Sequence, residues 1–345
     1  MLNISVIIPH AGGREILRRC LKSLADSASQ PLETVIVHNG PVDDVDNDTL
    51  SGLENVHVLR YECNLGFAPA CNRGVEAAKG DLVFLLNNDA TVEPDCLAIL
   101  AQAFEGNETT GAVQPKIRSL VKRDHFDYSS GAGGEMDRYG FPFARGRVFD
   151  TLEIDEGQYN DARQVFWGAG AALMIRRGLY LEAGGLEEPF FAHMEEIDFL
   201  WRIQLMGYKV FAFPQAVAWH EGAITIKAGS FRKHYLNHRN SLATLFRNYS
   251  FFSVASYLPL RLGLDVVLSL YSLLQRDFVR LFAVVRANCW FWASLPYLIS
   301  SRKQVQRLRR VPEKEILDRL YSKPIVWQYF IRKKRTWKQL NDPNA

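Results

Sequence analysis

Apolar residues fall along this chain in two periods. In the first hundred residues, short unbroken apolar runs at Ser5–Pro9, Thr34–His38, Val56–Tyr61 and Leu82–Leu86 read as buried strands. Between them, Arg14–Ala28 places Ile16, Leu17, Cys20, Leu21 and Leu24 at helical spacing. Pro69–Ala78 reads as a helix closed by Gly80, and Asp95–Phe104 as another after Pro94. Strands that are apolar throughout and separated by helices predict an α/β domain built on a parallel sheet covered on both faces. In such sheets the ligand crevice lies beyond the carboxyl ends of the strands. That rule selects Pro9–Gly13, His38–Pro41 and Asn87–Asp89.

The pattern then breaks. Residues 118–162 are rich in Gly, Asp, Arg and Tyr, show no period, and read as a long looped excursion at the substrate rim. Order returns with a strand-like run at Gln164–Ile175, a helix near Arg177–Ala183, a Gly184-Gly185 break and a helix Glu195–Met206. Lys209–Phe213 and Val217–His220 read as two short strands. From Ser230 onward the pattern is helical, and beyond Phe251 it is dense in Leu, Phe, Trp and Tyr mixed with Arg. This divides the chain into an expected body, 1–245, and a C-terminal helical, basic, amphipathic extension, 246–345.

Charge sharpens that division. The net charge of +3 over 345 residues hides 19 Lys/Arg against 32 Asp/Glu in residues 1–226 and 22 against 6 in residues 227–345. An acidic body joined to a basic, aromatic tail calls for a partner for the tail. Helices at 251–274 and 277–299 can lie in a membrane interface, with apolar side chains down and Arg heads snorkelling. The basic clusters 302–310 and 332–335 would then meet anionic lipid. The alternative is a helical appendage packed on the body or forming a homo-oligomer. Charged residues such as Arg261, Asp265 and Arg286 interrupt the apolar runs and argue against a spanning helix. Nucleic acid is not expected, since no binding module accompanies the charge. Five scattered cysteines without C-x-x-C spacing, and an N-terminus lacking a basic, cleavable leader, point to a reducing, cytoplasmic setting.

Three groups of residues could carry chemistry. Asn87-Asn88-Asp89 comes directly after a strand, so a carboxylate there can bind a hard divalent cation that also holds a diphosphate; an ordinary capping turn is the alternative. Glu195, Glu196 and Asp198 open a helix. One carboxylate could act as a general base, whereas Asp198 sits four residues before Arg202, a natural ion pair, and acids in a first turn complement the helix dipole. His220 ends a strand and could be either a packed histidine or a ligand.

The combination is more specific than its parts. The strand Ser5–Pro9, NLGF at Asn64–Phe67, CNRG at Cys71–Gly74, KGDLVFLLNND at Lys79–Asp89, GAGAALMIRR at Gly168–Arg177, GGLEEPFFAHMEEIDFLWR at Gly184–Arg202, GYKV at Gly207–Val210 and WHEG at Trp219–Gly222 occur in one order. Together they resemble the family 2 glycosyltransferases, in particular the branch of rhamnosyl- and galactofuranosyltransferases, over roughly residues 3–245. The resemblance implies a GT-A fold and inverting, metal-dependent transfer from a nucleotide-diphosphate sugar to a lipid-linked or glycan acceptor. It implies Asp89 and His220 as ligands of Mg²⁺ or Mn²⁺ and Glu196 as the base. Pro9, His10, His38, Asn39, Asn64, Gly66, Asn72, Asn87 and Asn88 are expected on the donor side, and Trp167, Gly170, Glu195 and Asp198 towards the acceptor, with a core tryptophan and tight strand packing as the alternatives for Trp167 and Gly170. Asn87 replaces the first acid of the family's D-x-D, and His38 replaces an Asp that accepts from the base imide. A neutral imidazole can accept the same bond, so UDP- and dTDP-sugars both fit.

A nucleotidyltransferase is the rival enzyme, with His10-Ala11-Gly12-Gly13-Arg14 as a partial phosphate loop. A non-catalytic sugar-nucleotide-binding or scaffold subunit is the rival outside enzymology. The expected location is the inner face of the cell membrane, peripherally bound.

Overall fold

The computed structural model describes residues 2–41, 45–46, 48–50, 53–222 and 229–342. The first hundred residues fold as their apolar runs predict: β1 (Ile4–His10), α1 (Arg14–Ala25), β2 (Glu33–Asn39), β3 (Val56–Tyr61), α2 (Phe67–Ala77), β4 (Leu82–Leu86), a short β5 (Ala90–Val92) and α3 (Cys96–Gln102). Helix α1 buries Leu17, Cys20, Leu21 and Leu24, the face its spacing marks. Strand β1 runs parallel to β2 and to β4, with His10 opposite His38. The crevice ends of these strands are therefore level.

The next segment departs from expectation. After β6 (Thr110–Ser119), the aperiodic 118–162 stretch forms a second, four-stranded antiparallel sheet of β7 (Gly134–Met136), β8 (Pro142–Ala144), β9 (Arg147–Val148) and β10 (Thr151–Leu152). Strands of two or three residues are too short to show alternation. The chain rejoins the main sheet through β11 (Arg163–Val165) and β12 (Ala172–Arg176), then continues through α4 (Arg177–Glu182), α5 (Glu195–Leu205) and β13 (Lys209–His220). Strand β12 pairs antiparallel with β4 and β6, so the sheet is mixed rather than parallel. The two short strands expected at 209–213 and 217–220 are one strand, interrupted by a register shift between Phe213 and Val217. The order is β11-β13-β6-β12-β4-β1-β2-β3, with β5 on β13. This brings the end of β13, and with it His220, beside the end of β4.

Helices α6 (Phe231–Asn248), α7 (Phe251–Leu274), α8 (Phe278–Ala293), α9 (Leu295–Leu308), α10 (Glu313–Arg319) and α11 (Trp337–Asn341) complete the chain. Phe291, Leu298, Val305, Ile316 and Leu320 belong to the same hydrophobic cluster as the body. Ile325, Tyr329 and Leu340 pack on Phe143 and Val148 of the second sheet. Lys334 of the expected lipid-binding run is buried there rather than exposed.

Helix α7 is inverted relative to an ordinary surface helix. Arg261 and Asp265, 1% exposed, face inward: Asp265 accepts from Arg261 and lies 3.2 Å from His238, and Arg261 donates to Ser241 (2.8 Å) and lies over the Phe141 ring. The apolar residues face outward, Phe252 and Leu274 each at 80% exposure. At about 100° per residue, Phe252, Val266, Leu270 and Leu274 fall on one line, and Arg261, Asp265 and Ser272 lie opposite it. The expected snorkelling of Arg261 is thus replaced by an internal ion pair. Those two charges are also the ones that argued against a spanning helix; among the described residues, α7 is long and apolar enough to cross a membrane by length and composition.

Candidate active site

At the strand ends, where the ligand crevice is expected, two histidines come together. His10 is fully buried, its ring 6.0 Å from that of His38. Asn88 Nδ2 lies 2.9 Å from His10 Nδ1 and donates to the Gly12 carbonyl (3.3 Å). Gly12 and Gly13 have φ of 124° and 99°, a backbone that places carbonyls where a side-chain-bearing residue would strain. Pro9, His10, His38 and Asn88 therefore share one subsite at the ends of β1, β2 and β4. Arg14, the cation of the partial phosphate loop, is turned to Asp46 at 2.9 Å, which weakens the nucleotidyltransferase alternative.

Asp89 and His220 meet at the centre. Strand β5 pairs with the end of β13 so that His220 lies opposite Ala90, and the Glu221 N–H donates to the Asp89 carbonyl (3.1 Å). His220 Nε2 is 3.2 Å from Asp89 Oδ1 and 3.3 Å from Asn87 Nδ2. On the other ring nitrogen, Nδ1 is 3.0 Å from Asp127 Oδ1. Burial alone would depress the imidazolium, but Asp127 and Asp89 outweigh it and carry its pKa up to about 10. Burial likewise opposes the Asp127 charge, and His220 still holds that carboxyl below its usual range. Asp127 comes from the aperiodic stretch and belongs to none of the sequence motifs. Its only sequence signal is Asp-Tyr-Ser-Ser, a side chain accepting from Ser129 two residues on.

The carboxylate pair lies one loop away. Asn87 N–H donates to the Ala171 carbonyl (3.0 Å), and a Cβ on the preceding Gly170 would sit 3.9 Å from Glu196 Cβ. The Phe67 ring, 3.0 Å from the same Cβ position, leaves room there for glycine. Glu195 Oε2 and Glu196 Oε2 are both buried without a hydrogen-bond partner. Burial pushes Glu196 up to about 7; burial and then the Glu196 charge push Glu195 well above the carboxylate range. The loop leading to them is strained, with Phe191, His193 and Met194 at φ of 66°, 69° and 72°. Helix α6 pins it: Asn240 donates to the carbonyls of Phe190, Ala192 and His193, and Arg239 to those of Pro189 and Phe190.

Several expected site residues serve the frame instead. Asp198, expected near the acceptor, is fully buried and accepts from Arg202 (2.9 Å) and Asn248 (2.8 Å), with Arg247 at 3.1 Å. Two residues after Glu196 on a helix, it points roughly 200° away. Trp167 lies in the core, its indole donating to the Glu135 carbonyl (2.8 Å) and its ring filling the space a Cβ on Gly134 would need. Asn72 accepts from Tyr180 (2.6 Å) and the Leu186 N–H (2.8 Å) and donates to the Leu186 carbonyl (2.9 Å), holding the turn after α4. Asn39 and Asn64 engage each other and the backbone of Leu65 and Gly66, seating Gly66 (φ 101°) against Phe191. They brace the crevice wall.

Known proteins resemble this chain in sequence and in fold. The family model of glycosyl transferase family 2 matches residues 5–179, just over half the chain. An N-acetylglucosaminyl-diphospho-decaprenol L-rhamnosyltransferase of Mycobacterium tuberculosis is 27% identical over 221 residues, 60% of this chain and 72% of the relative. A glucosyl-dolichyl phosphate glucuronosyltransferase of Haloferax volcanii is 30% identical over 101 residues, 29% of this chain and 32% of the relative. Among solved structures, residues 1–349 of Staphylococcus aureus TarS superpose with a TM-score of 0.50 at 15% identity over 93% of both chains. GalNAc-T7 with UDP, GalNAc and Mn²⁺ superposes at 0.52 and 17% identity, over 68% of this chain and 48% of that one. These likenesses give the fold, GT-A, with a helical C-terminal region. With its family model matched over more than half of its length, this chain belongs to glycosyl transferase family 2.

Proposed function

We propose that this protein is an inverting hexosyltransferase, such as a rhamnosyltransferase, moving a sugar from a UDP- or dTDP-sugar to a hydroxyl of a lipid-linked surface glycan. The observation that supports this most is the buried, unpartnered Glu196 Oε2, beside the Gly170–Ala171 segment whose backbone bonds Asn87, a neighbour of His220. A divalent cation would fit the Asp89–His220 pair by displacing the proton from His220 Nε2, with Nδ1 keeping its proton towards Asp127. Asn87 Oδ1 is buried without a hydrogen-bond partner, Asp89 Oδ1 faces His220 Nε2 at 3.2 Å, and an oxygen–nitrogen donor set suits Mg²⁺ or Mn²⁺. No group of three or more His, Cys, Asp or Glu side chains is placed to hold a metal ion by itself among the described residues. When bound, the cation offsets the charge developing on the diphosphate leaving group.

Glu196 then takes the acceptor hydroxyl proton at Oε2 as the oxygen attacks the anomeric carbon from the face opposite the diphosphate. A single displacement inverts the anomeric centre. Glu195, held neutral by burial, leaves Glu196 as the member of the pair that ionises as pH passes through about 7. His10, His38 and Asn88 hold the nucleotide end. A panel of UDP- and dTDP-sugars with Mn²⁺ or Mg²⁺, read by release of free nucleotide diphosphate, tests the reading. Silence on every donor with lipid-linked acceptors present would reject it.

Asp127 acts through His220, fixing Nδ1 so that Nε2 faces Asp89. Removing such an outer partner typically costs 10–100-fold in metal affinity. Asp127→Asn is expected to weaken Mn²⁺ binding by about that factor, read by titration of free Mn²⁺ with the protein; unchanged affinity would deny Asp127 this role.

The outward apolar face of α7 and α8 supports peripheral binding at the inner membrane surface, the location of a lipid-borne acceptor. Phe252→Ser combined with Leu270→Ser and Leu274→Ser should lower cosedimentation with phosphatidylglycerol vesicles by at least roughly tenfold. Their side chains are exposed, so thermal stability should hold. Equal cosedimentation would show that this face is not the membrane contact.

A further inference from the structure

Three cations on the rings of Tyr128 and Phe191 lack carboxylate partners among the described residues. Residues 1–226 hold far more acids than bases, yet Arg147 makes no ion pair among the described residues, nor do Arg232 and Lys233. Two of them rest on one ring: the Arg147 guanidinium carbon is 4.3 Å and Lys233 Nζ 4.8 Å from the centroid of Tyr128. Tyr128 is half exposed and comes directly after Asp127, the residue that holds His220. The third, Arg232, lies 4.3 Å over the ring of Phe191, in the strained loop before Glu195. Lys233 also reaches that loop electrostatically: burial first, and then its charge, lower His193 to about 4.

The placement of these charges goes against local preference. Arg232 and Lys233 occupy the first turn of α6, which contains no acid, and cations there oppose the helix dipole. Charges that violate a local rule without an internal partner mark a functional surface. Both aromatic rings act as platforms that fix the cations while leaving their N–H groups open to a ligand. The three therefore sit between the support of His220 and the loop of Glu196. The nucleotide subsite at His10 and His38 lies on the other half of the sheet, beyond β4. An anion held by these cations would approach Glu196 from the acceptor side.

We propose that Arg147, Arg232 and Lys233 bind the phosphate or diphosphate group of the acceptor, an anionic lipid-type ester, and so hold its sugar hydroxyl at Glu196. The proposal rests on the transferase reading and names the acceptor's recognised group. Arg147 supplies a planar fork for two phosphate oxygens, and Lys233 a movable point charge.

The test uses the full chain with excess EDTA, so that a diphosphate cannot enter through a metal at Asp89. Farnesyl diphosphate, farnesol and inorganic pyrophosphate are titrated in turn by calorimetry. Farnesyl diphosphate should bind at least roughly tenfold more tightly than farnesol, and Arg147→Gln with Lys233→Gln should remove that difference, while Lys233→Arg keeps it. Pyrophosphate binding that is lost in the same double variant supports the site and assigns recognition to the charged head; tighter farnesyl diphosphate binding adds the lipid. Equal farnesyl diphosphate affinity in wild type and double variant overturns the proposal. So does a parallel loss of Mn²⁺-dependent UDP and dTDP affinity, which would assign the cations to the donor. A wild-type chain that releases nucleotide diphosphate from a sugar donor but ignores farnesyl diphosphate refutes this site alone. Binding of farnesyl diphosphate through these cations, with no donor ever turned over, refutes the transferase reading alone.

Discussion

Glu196→Gln is expected to keep donor and Mn²⁺ affinity near wild type while transfer falls by roughly 10³-fold, the size of a lost general base. The substitution keeps shape and volume and removes only the capacity to take a proton. Its pH behaviour carries a second signature. With Glu196 raised to about 7 by burial, wild-type transfer should climb as pH passes through 7 and level off above it, because the base must be ionised. The stability term runs the other way. In the unfolded chain the carboxyl ionises near 4.5, while the folded protein keeps its proton until about 7. Between those values the folded state binds more protons, so stability falls as pH rises. Glu196→Gln should flatten that decline even as it destroys activity, the pattern of a residue held at a cost to the fold for function. Near-normal transfer in this variant, read as glycosylated acceptor per unit time, would remove Glu196 from the mechanism.

The residues that were legible in the sequence share a physical reason. A continuous apolar run such as Leu82–Leu86 cannot sit anywhere but inside a covered sheet, and the residues next in the chain, here Asn87–Asp89, must emerge at its edge. Asp127 was hidden because it lies between β6 and β7, among turns and isolated bridges where no alternation can be read. Its partner His220 is 93 residues away in the chain. Asp198 and Trp167 show the opposite failure. They stand next to motif residues in sequence, but a helix turns consecutive side chains by about 100° and a strand sends them to opposite faces, so adjacency says little about direction. Asn72 lies within a motif and yet braces a turn, which makes the motif a record of folding as well as of chemistry. In α7, the spacing of Arg261 and Asp265 announces an ion pair, but only the packing on His238 and Ser241 reveals that the charged side is the inside.

Asp89→Asn should have an effect of comparable size by a different route. The variant keeps side-chain volume and an oxygen, but it replaces the carboxylate at the point where β4 and β13 converge with a neutral amide. A hard divalent cation draws much of its binding energy from such a charge, and its contribution to leaving-group stabilisation amounts to several kcal/mol, equivalent to a rate factor on the order of 10³ or more. Mn²⁺ affinity, measured by the paramagnetic signal of the free ion, should therefore fall with transfer. The Mn²⁺-dependent part of nucleotide diphosphate binding should vanish with it, while metal-free nucleotide binding at His10 and His38 stays in place. This split separates Asp89 from Glu196, whose substitution spares the metal. The protein should remain folded, because Asp89 meets His220 only through a 3.2 Å approach and His220 keeps its stronger contact with Asp127. Wild-type Mn²⁺ affinity in Asp89→Asn would place the cation elsewhere and detach His220 from catalysis, leaving the Asp127–His220 pair as a strut that ties the second sheet to the end of β13.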